Sequence, residues 1–372
     1  MNHSQHESKR FLARNLISGR ANTYKFLNVI SQGSYGIVYR ARHRKTLEIV
    51  AIKHEFHGLS RSTLREISTL TSLPRHPAVI EFKEVLVDDR DRVFMVMEHV
   101  ENDLKRFMNV RKKPLNLNEV KCIMKQFLEG VRFLHENGLM HRDLKPSNIL
   151  INRKGGLMKI CDFGLSRMFA SECRSYCPDV GALWYKAPEI LIGAETYSCA
   201  IDMWSVGCIM AELLLKEVLF KGRCDLEQIA QIYIILGSGE PDDNRLTQKF
   251  LAAASSTRAP SLTELGFDLL KKLLEYDPEK RITTEVALNH GGSRSLIRNF
   301  FVLAQASSAM ITICELNAEI FLVRTHLMKI MPYITTADHF MVNIWIPRCL
   351  SSAVSVFFVN VFTDMIWLTI EY

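Results

Sequence analysis

The spacing of hydrophobic positions changes period near residue 100. From Tyr24 to about Val100, short runs rich in β-branched and aromatic residues alternate with turn signals: "YKFLNVI", "GIVYRA", "EIVAIKHEF", "AVIEFKEVLV" and "RVFMVMEHV". Such runs predict strands. One stretch breaks the series. In "STLREISTLTSL", Leu64, Ile67 and Leu70 share a helical face, and Pro74 stops the helix. After Asn102 the period is helical: Val120, Ile123, Phe127, Val131 and Leu134 recur every three or four residues. Asn116 or Asn118 is the expected N-cap there, and Gly138 the closing residue. "DMWSVGCIMAELLL" is apolar nearly all round and predicts a buried helix. The pattern is that of an α+β chain. A small β-rich lobe, about 23–100, precedes a larger, mainly helical lobe, about 101–290, with a cleft between them.

Both ends depart from this pattern. Residues 1–22 are polar, are expected to be loosely held, and carry no apolar signal-peptide core. From Gly291 to Tyr372 the charge patterning is lost and Phe, Val, Ile and Met accumulate. "SSAVSVFFVNVFTDMIWLTI" approaches the length of a membrane span. Asn360 and Asp364 lie inside it, however, and an acidic residue is costly there. An extra packing segment, or a poorly ordered or aberrant end, fits better than a span, and membrane association is not expected. No internal repeat is evident.

Composition narrows the class only slightly. The chain has 372 residues, 48% of them hydrophobic and 23% charged, as in a globular protein with a real core. The net charge of +7 is spread along the chain, so direct nucleic-acid binding has no basic patch behind it. Acidic peptides or a phosphorylated ligand suit it equally well. The nine cysteines form no CxxC pair, which fits reduced thiols in the cytoplasm or nucleus.

Five short motifs carry the candidate chemistry, and each has a plainer reading. "ISQGSYGIVY" is a Gly-rich turn in which Gly33 and Gly36 could let backbone approach phosphates; a simple hairpin would look the same. "VAIK" ends in Lys53, either a snorkelling surface lysine or a charge aimed at phosphate and held by Glu66. "HRDLKPSNIL" gathers Asp143, Lys145 and Asn148, which are either turn formers or a general base, a charge on the transferred group and a metal ligand. "CDFG" presents Asp162, a hard-oxygen donor suited to Mg²⁺. "APE", residues 187–189, means little alone.

In this order, the five resemble the signature set of eukaryotic protein kinases. The stretch from about 24 to 290 resembles the cyclin-dependent kinase group, most closely its PITSLRE-type members. "STLREI", "VMEHVENDLKRFM", "EVKCIMKQFLEGVRFLH", "ELLLKEVLFKGRCDLEQIAQI" and "LLEYDPEKRIT" carry that likeness, and 291–372 has no part in it. The resemblance implies a bilobal kinase fold spanning 23–290. It also implies transfer of the ATP γ-phosphate to Ser/Thr, next to proline, of protein substrates, with Mg²⁺ as cofactor.

By the same resemblance, Ser31, Gln32, Gly33, Ser34 and Gly36 cover the phosphates. Val38 and Ala51 pack the adenine, whose deep end Met97 guards. The backbone of Glu98 and Val100 bonds its edge, and Asp103 reaches the ribose. Lys53, when paired with Glu66, contacts the α- and β-phosphates. Asp143 orients and deprotonates the substrate hydroxyl, and Asn148 and Asp162 hold the metals. Glu189 pairs with Arg281, and Asp202 braces the "HRD" backbone. Arg65, Arg142 and Arg167 converge on a phosphothreonine, and a cyclin contacts the "STLREI" helix. Nucleus or cytoplasm is the implied location.

Departures from the family pattern cluster in "YCPDVGALWYKAPEIL". Cys177 stands at the activation threonine, with Ser175 and Tyr176 displaced from it and Asp179 the nearest fixed negative charge. Ala182 stands where a threonine hydroxyl ties the loop to the catalytic Asp and Lys. Gly181 replaces a valine and Lys186 an arginine near the proline-selecting pocket. The linker from Lys53 to the helix is several residues shorter than usual, and so is the region between Glu240 and Leu262. Ser34 and Tyr35 match an inhibitory phosphorylation site. These departures sustain an alternative: a catalytically impaired, kinase-like scaffold that binds a cyclin.

Overall fold

The computed structural model describes residues 17–33, 36–56, 60–88, 92–111, 115–152, 156–169, 181–237, 244–257 and 262–294. Expectations for Ser34, Tyr35, Ser175, Tyr176, Cys177, Asp179 and 295–372 lie outside these residues.

The first lobe is a six-stranded sheet: β1 (Ile17–Arg20), β2 (Tyr24–Gln32), β3 (Gly36–His43), β4 (Ile49–Glu55), β5 (Phe82–Val87) and β6 (Val93–Glu98), in spatial order β1-β5-β6-β4-β3-β2. Pairing is antiparallel except between β1 and β5. Strand β1 corrects the expectation that 1–22 is wholly loose. It covers what would otherwise be the open edge of β5, and an edge strand's bare amides favour such pairing. Beyond it, Ala21 and Tyr24 are buried. "AVIEFKEVLV" also divides in two. Only Phe82 onward joins this sheet, while Ala78–Ile80 stitch to the other lobe through Ile80 N–H to Ile160 O (2.9 Å) and Ile160 N–H to Ala78 O (2.8 Å).

Helix α1 (Arg61–Ser72) is capped by Ser60, whose hydroxyl accepts the Thr63 N–H. It buries Thr63, Glu66, Ile67 and Leu70, with Leu64 at the margin of that face. A buried glutamate on an otherwise apolar face demands a partner.

The second lobe begins with β7 (Asn102–Asp103) and helix α2 (Leu104–Val110). Helix α3 (Leu117–Glu136) starts in a full capping box between Asn116 and Glu119 and gives way to Gly138 at φ 71°. Short strands β8 (Leu139–Met140), β9 (Ile149–Ile151), β10 (Met158–Ile160) and β11 (Arg167–Met168) frame the loops that matter below. Helix α4 (Pro188–Leu191) leads to α5 (Ala200–Leu215), every residue of which is buried. The lobe is completed by α6 (Asp225–Leu236), α7 (Arg245–Thr257), α8 (Glu264–Leu273), α9 (Thr284–Asn289) and α10 (Gly291–Arg294), of which α8 packs against α5.

Trp204 on α5, fully buried, stacks on Phe220 and receives the Arg281 guanidinium over its ring at 5.2 Å. A side chain of that size is among the largest single contributors to a core. The main core continues from this lobe up to Ile67, Met95 and Met97 beneath the sheet, so one apolar body backs the cleft. Among the described residues, no helix is long and apolar enough to cross a membrane.

Candidate active site

Strand β4 delivers Lys53 to the cleft side of the sheet, and α1 delivers Glu66 opposite it. Lys53 Nζ lies 2.7 Å from Glu66 Oε2 and 3.3 Å from Asp162 Oδ1. Burial alone would lower the lysine pKa. The neighbouring Glu66 and Asp162 carboxylates more than offset this and raise it, so the ammonium stays charged. Burial pushes the Glu66 carboxyl up, with Lys53 drawing it back. For Asp162 burial acts upward too, but Lys53, His141 and Lys145 overrule it and hold the carboxyl below its ordinary range.

Asp162 sits in the left-handed region at φ 67°. A non-glycine residue there costs on the order of 1–3 kcal/mol, and such outliers collect at functional sites. The next residue secures the turn: Phe163 is fully buried and meets the His141 ring edge-on at 5.0 Å.

The loop after β8 is held as tightly. Asp202 on α5 accepts the backbone N–H of His141 and of Arg142, both at 2.9 Å, and its Oδ2 also contacts His135 Nε2 at 3.0 Å. His141 Nδ1 accepts the Asp143 N–H (3.3 Å), so its Nε2 carries the proton shared with Cys161 O at 3.1 Å. Arg142 is the second strained residue, at φ 68°. These restraints present Asp143, whose Oδ2 lies 2.6 Å from Lys145 Nζ and accepts from Asn148 Nδ2 at 3.1 Å. The same amide donates to Asp143 O at 2.8 Å. The arrangement holds a carboxylate next to a positive charge.

Each residue singled out in the sequence that lies among the described ones has a definite place. Ser31 and Gln32 end β2, and Gly33 N–H bonds Gly36 O at 3.0 Å to close the turn. The two glycines differ. A Cβ at Gly33 meets nothing within 4 Å, while one at Gly36 would lie 2.2 Å from His54 O. Gly36 is therefore demanded by β4, and only Gly33 leaves open room for a ligand. Val38 pairs with Lys53, and Ala51 pairs with Arg40 and Met97. Glu98 donates its backbone N–H to Glu81 O (3.0 Å), and its side chain is pinned to Lys159 Nζ at 2.7 Å. Val100 is buried at the lobe junction. Asp103 caps α2, its Oδ1 accepting the Arg106 N–H at 2.8 Å.

The three arginines gather on three successive carbonyls. Arg65 donates to Gly164 O, Arg142 Nε to Leu165 O (2.8 Å) and Arg167 to Ser166 O (3.1 Å). Arg142 also reaches Tyr197 Oη at 2.6 Å. Glu189 and Arg281 form a buried two-pronged pair at 2.7 and 3.0 Å. Lys186 lies 3.6 Å from Asp225. Gly181 lies at φ 79°, and a Cβ there would approach Arg142 O to 2.6 Å.

Sequence reasoning missed Glu55, His135, Tyr197 and Lys159. Glu55 had a faint signal: two positions beyond Lys53 on one strand, it shares that residue's face. The other three partner residues more than 50 positions away, and no local spacing marks them.

For a metal, the available atoms are the Asp162 carboxylate and the Asn148 amide oxygen. Both are hard oxygens, and Asp162 is held ionised. Among the described residues no group of three or more His, Cys, Asp or Glu converges. A Mg²⁺ site completed by phosphate oxygens and water needs no such group.

Residues 24–291 match the protein kinase domain family. The chain is 48% identical over 309 residues to cyclin-dependent kinase G-1 of Oryza sativa subsp. indica, covering 76% of this chain and 44% of the relative. It is 47% identical over 305 residues to cyclin-dependent kinase G1 of Arabidopsis thaliana, covering 74% and 49%. It is 41% identical over 293 residues to cyclin-dependent kinase 11B of Mus musculus, covering 72% and 36%. The chain thus spans less than half the length of these relatives.

Proposed function

The chain belongs to the protein kinase family, and from that premise we propose that it is a serine/threonine kinase of cyclin-dependent type that phosphorylates Ser/Thr-Pro sites in proteins. One observation carries the reading: Lys53 lies between Glu66 at 2.7 Å and Asp162 at 3.3 Å, so the charge that would grip a triphosphate is already in position.

The residues divide the work of an in-line transfer. Lys53 binds the α- and β-phosphates. Ser31, Gln32, Gly33 and Gly36 lie over them, with Val38 and Ala51 on the adenine. Glu98 and Val100 bond its edge through backbone groups, and the Asp103 oxygen not used in capping meets the ribose. Asp143 takes the proton of the substrate hydroxyl as that oxygen bonds to the γ-phosphorus and the bond to ADP breaks. Lys145 neutralises charge on the group in transit. Asn148 and Asp162 would hold Mg²⁺, which when bound supplies charge neutralisation between the phosphates.

A cyclin is the proposed partner at α1, since moving that helix moves Glu66. The nucleus or cytoplasm is the proposed location. The test is phosphate transfer from radiolabelled ATP to a Ser/Thr-Pro peptide, with and without cyclins. Wild type should transfer, and Asp143→Asn should fall by at least about a hundredfold, the scale of a lost general base. ATP binding without transfer, under every cyclin tried, would support the impaired scaffold instead.

A further inference from the structure

Lys53 has a third carboxylate neighbour that no kinase motif assigns. Glu55 ends β4 with its side chain 10% exposed and splits its two oxygens between different elements. Oε1 lies 3.7 Å from Lys53 Nζ. Oε2 accepts the Ser60 hydroxyl at 2.9 Å and the Thr63 hydroxyl as well. Proton bookkeeping at α1's first turn closes around this carboxylate. Ser60 Oγ donates to Glu55 and accepts the Thr63 N–H (3.1 Å) and the Ser62 hydroxyl (2.6 Å). Thr63 donates its own hydroxyl to Glu55 and is 5% exposed. Thr63 precedes Glu66 by three positions, nearly one helical turn, and both are buried on the same face.

We propose that Glu55 is a positioning residue. It fixes the start of α1 against β4 and so sets the Lys53–Glu66 distance from within the chain. The inference rests on the phosphoryl-transfer reading above. The other ties on α1 lie further along the helix and reach a different element: Arg65 to Gly164 O, and Thr69 Oγ1 to Ser166 Oγ at 3.2 Å. They hold the helix to the turn after Asp162. Apart from the Lys53–Glu66 pair itself, Glu55 is, among the described residues, the side chain whose bonds tie the start of the helix to the strand that bears Lys53. A helix held at both places presents Glu66 to Lys53 without help from a partner. The expected consequence is a measurable basal affinity for nucleotide, which a partner then increases by a smaller factor.

The experiment uses the full chain and reads the Kd of a fluorescent ATP analogue, the KM for ATP, the kcat and the melting temperature. Glu55→Ala and Thr63→Val should each weaken nucleotide binding about fivefold, the equivalent of one net hydrogen bond. Glu55→Gln keeps an oxygen for the two hydroxyls and should stay within about twofold. If Glu55→Ala does not fold, Thr63→Val carries the test, because it removes one hydroxyl at nearly constant shape. A lower melting temperature with unchanged Kd and KM in both variants would reduce Glu55 to a structural brace and overturn the inference. A Glu55→Gln as weak as Glu55→Ala would overturn it too, since charge rather than placement would then be at work. A wild type that binds nucleotide yet transfers no phosphate defeats the reading above and leaves this test standing.

Discussion

Asp143 and Ala182 line one recess, and the buried Oδ1 of Asp143 accepts no hydrogen bond from any described residue. Its other oxygen is engaged twice, by Lys145 and by Asn148. The recess, which also touches Gly181, Asp202 and Ser205, has a volume of about 20 Å³, enough for one water molecule. The methyl group of Ala182 offers this oxygen nothing. A buried acceptor with no partner costs roughly 1–3 kcal/mol, and here no described protein group supplies one.

Restoring a hydroxyl should therefore sharpen the site. Ala182→Thr is expected to raise kcat for peptide phosphorylation about fivefold, the rate equivalent of roughly 1 kcal/mol in the transition state. Ala182→Val has almost the same shape with no donor, and it should leave kcat at or below wild type. Steady-state kinetics on the three proteins decides the matter, and equal gains from threonine and valine would show that filling space, not hydrogen bonding, is what matters.

The neighbouring glycine obeys a steric rule. At φ 79°, with Arg142 O only 2.6 Å from where a Cβ would stand, Gly181 tolerates no side chain without movement of the catalytic loop. Gly181→Ala should lower stability by about 1–3 kcal/mol and reduce kcat by shifting Asp143. Chemical denaturation and peptide kinetics both read this. A stable, fully active alanine variant would mean that the loop adapts freely. A valine here, the family's usual residue, meets the same carbonyl, so in this chain glycine relieves a strain rather than merely losing a contact.

How much could be read from the chain depended on how local each interaction is. The α5 helix was legible because "DMWSVGCIMAELLL" is apolar on all sides, and every residue of the helix is buried. The ends of α3 were legible to within a residue or two, because caps are matters of a few adjacent residues: Gly138 follows its end, and of the two candidates Asn116 and Asn118 the N-cap is Asn116. The pairing of Glu189 with Arg281, 92 positions apart, came from likeness to a family and not from any period. Strand β1 was hidden because "ISGR" has no strand pattern of its own; β5 recruits it through backbone bonds that side chains do not advertise. Glu55 was hidden for a similar reason, since its partners Ser60 and Thr63 look like ordinary capping residues until the strand is folded against them.

Asp202 gives the fold a predictable response to acid. Burial pushes its carboxyl upward, but the hydrogen bond from His135, the nearby His135 and His141 rings and the Arg142 N–H together hold it below the ordinary aspartate value of 3.8. A group whose folded pKa is depressed stabilises the protein at every pH above its unfolded value. That contribution is lost as pH falls through the unfolded value towards the folded one. Wild-type stability should therefore begin to fall below about pH 4, partly through this residue. Asp202→Asn removes a buried charge and turns one of its two acceptors into a donor facing a backbone N–H, that of Arg142 or of His141. It should cost about 3 kcal/mol or more at pH 7 and flatten the acid limb. Urea denaturation of both proteins between pH 3 and 8 measures each effect, and an asparagine variant with the wild-type acid slope would show that the proton is taken up elsewhere. Because Asp202 holds the backbone that presents Asp143, the same variant should lose phosphoryl transfer at pH 7 even in the fraction that remains folded.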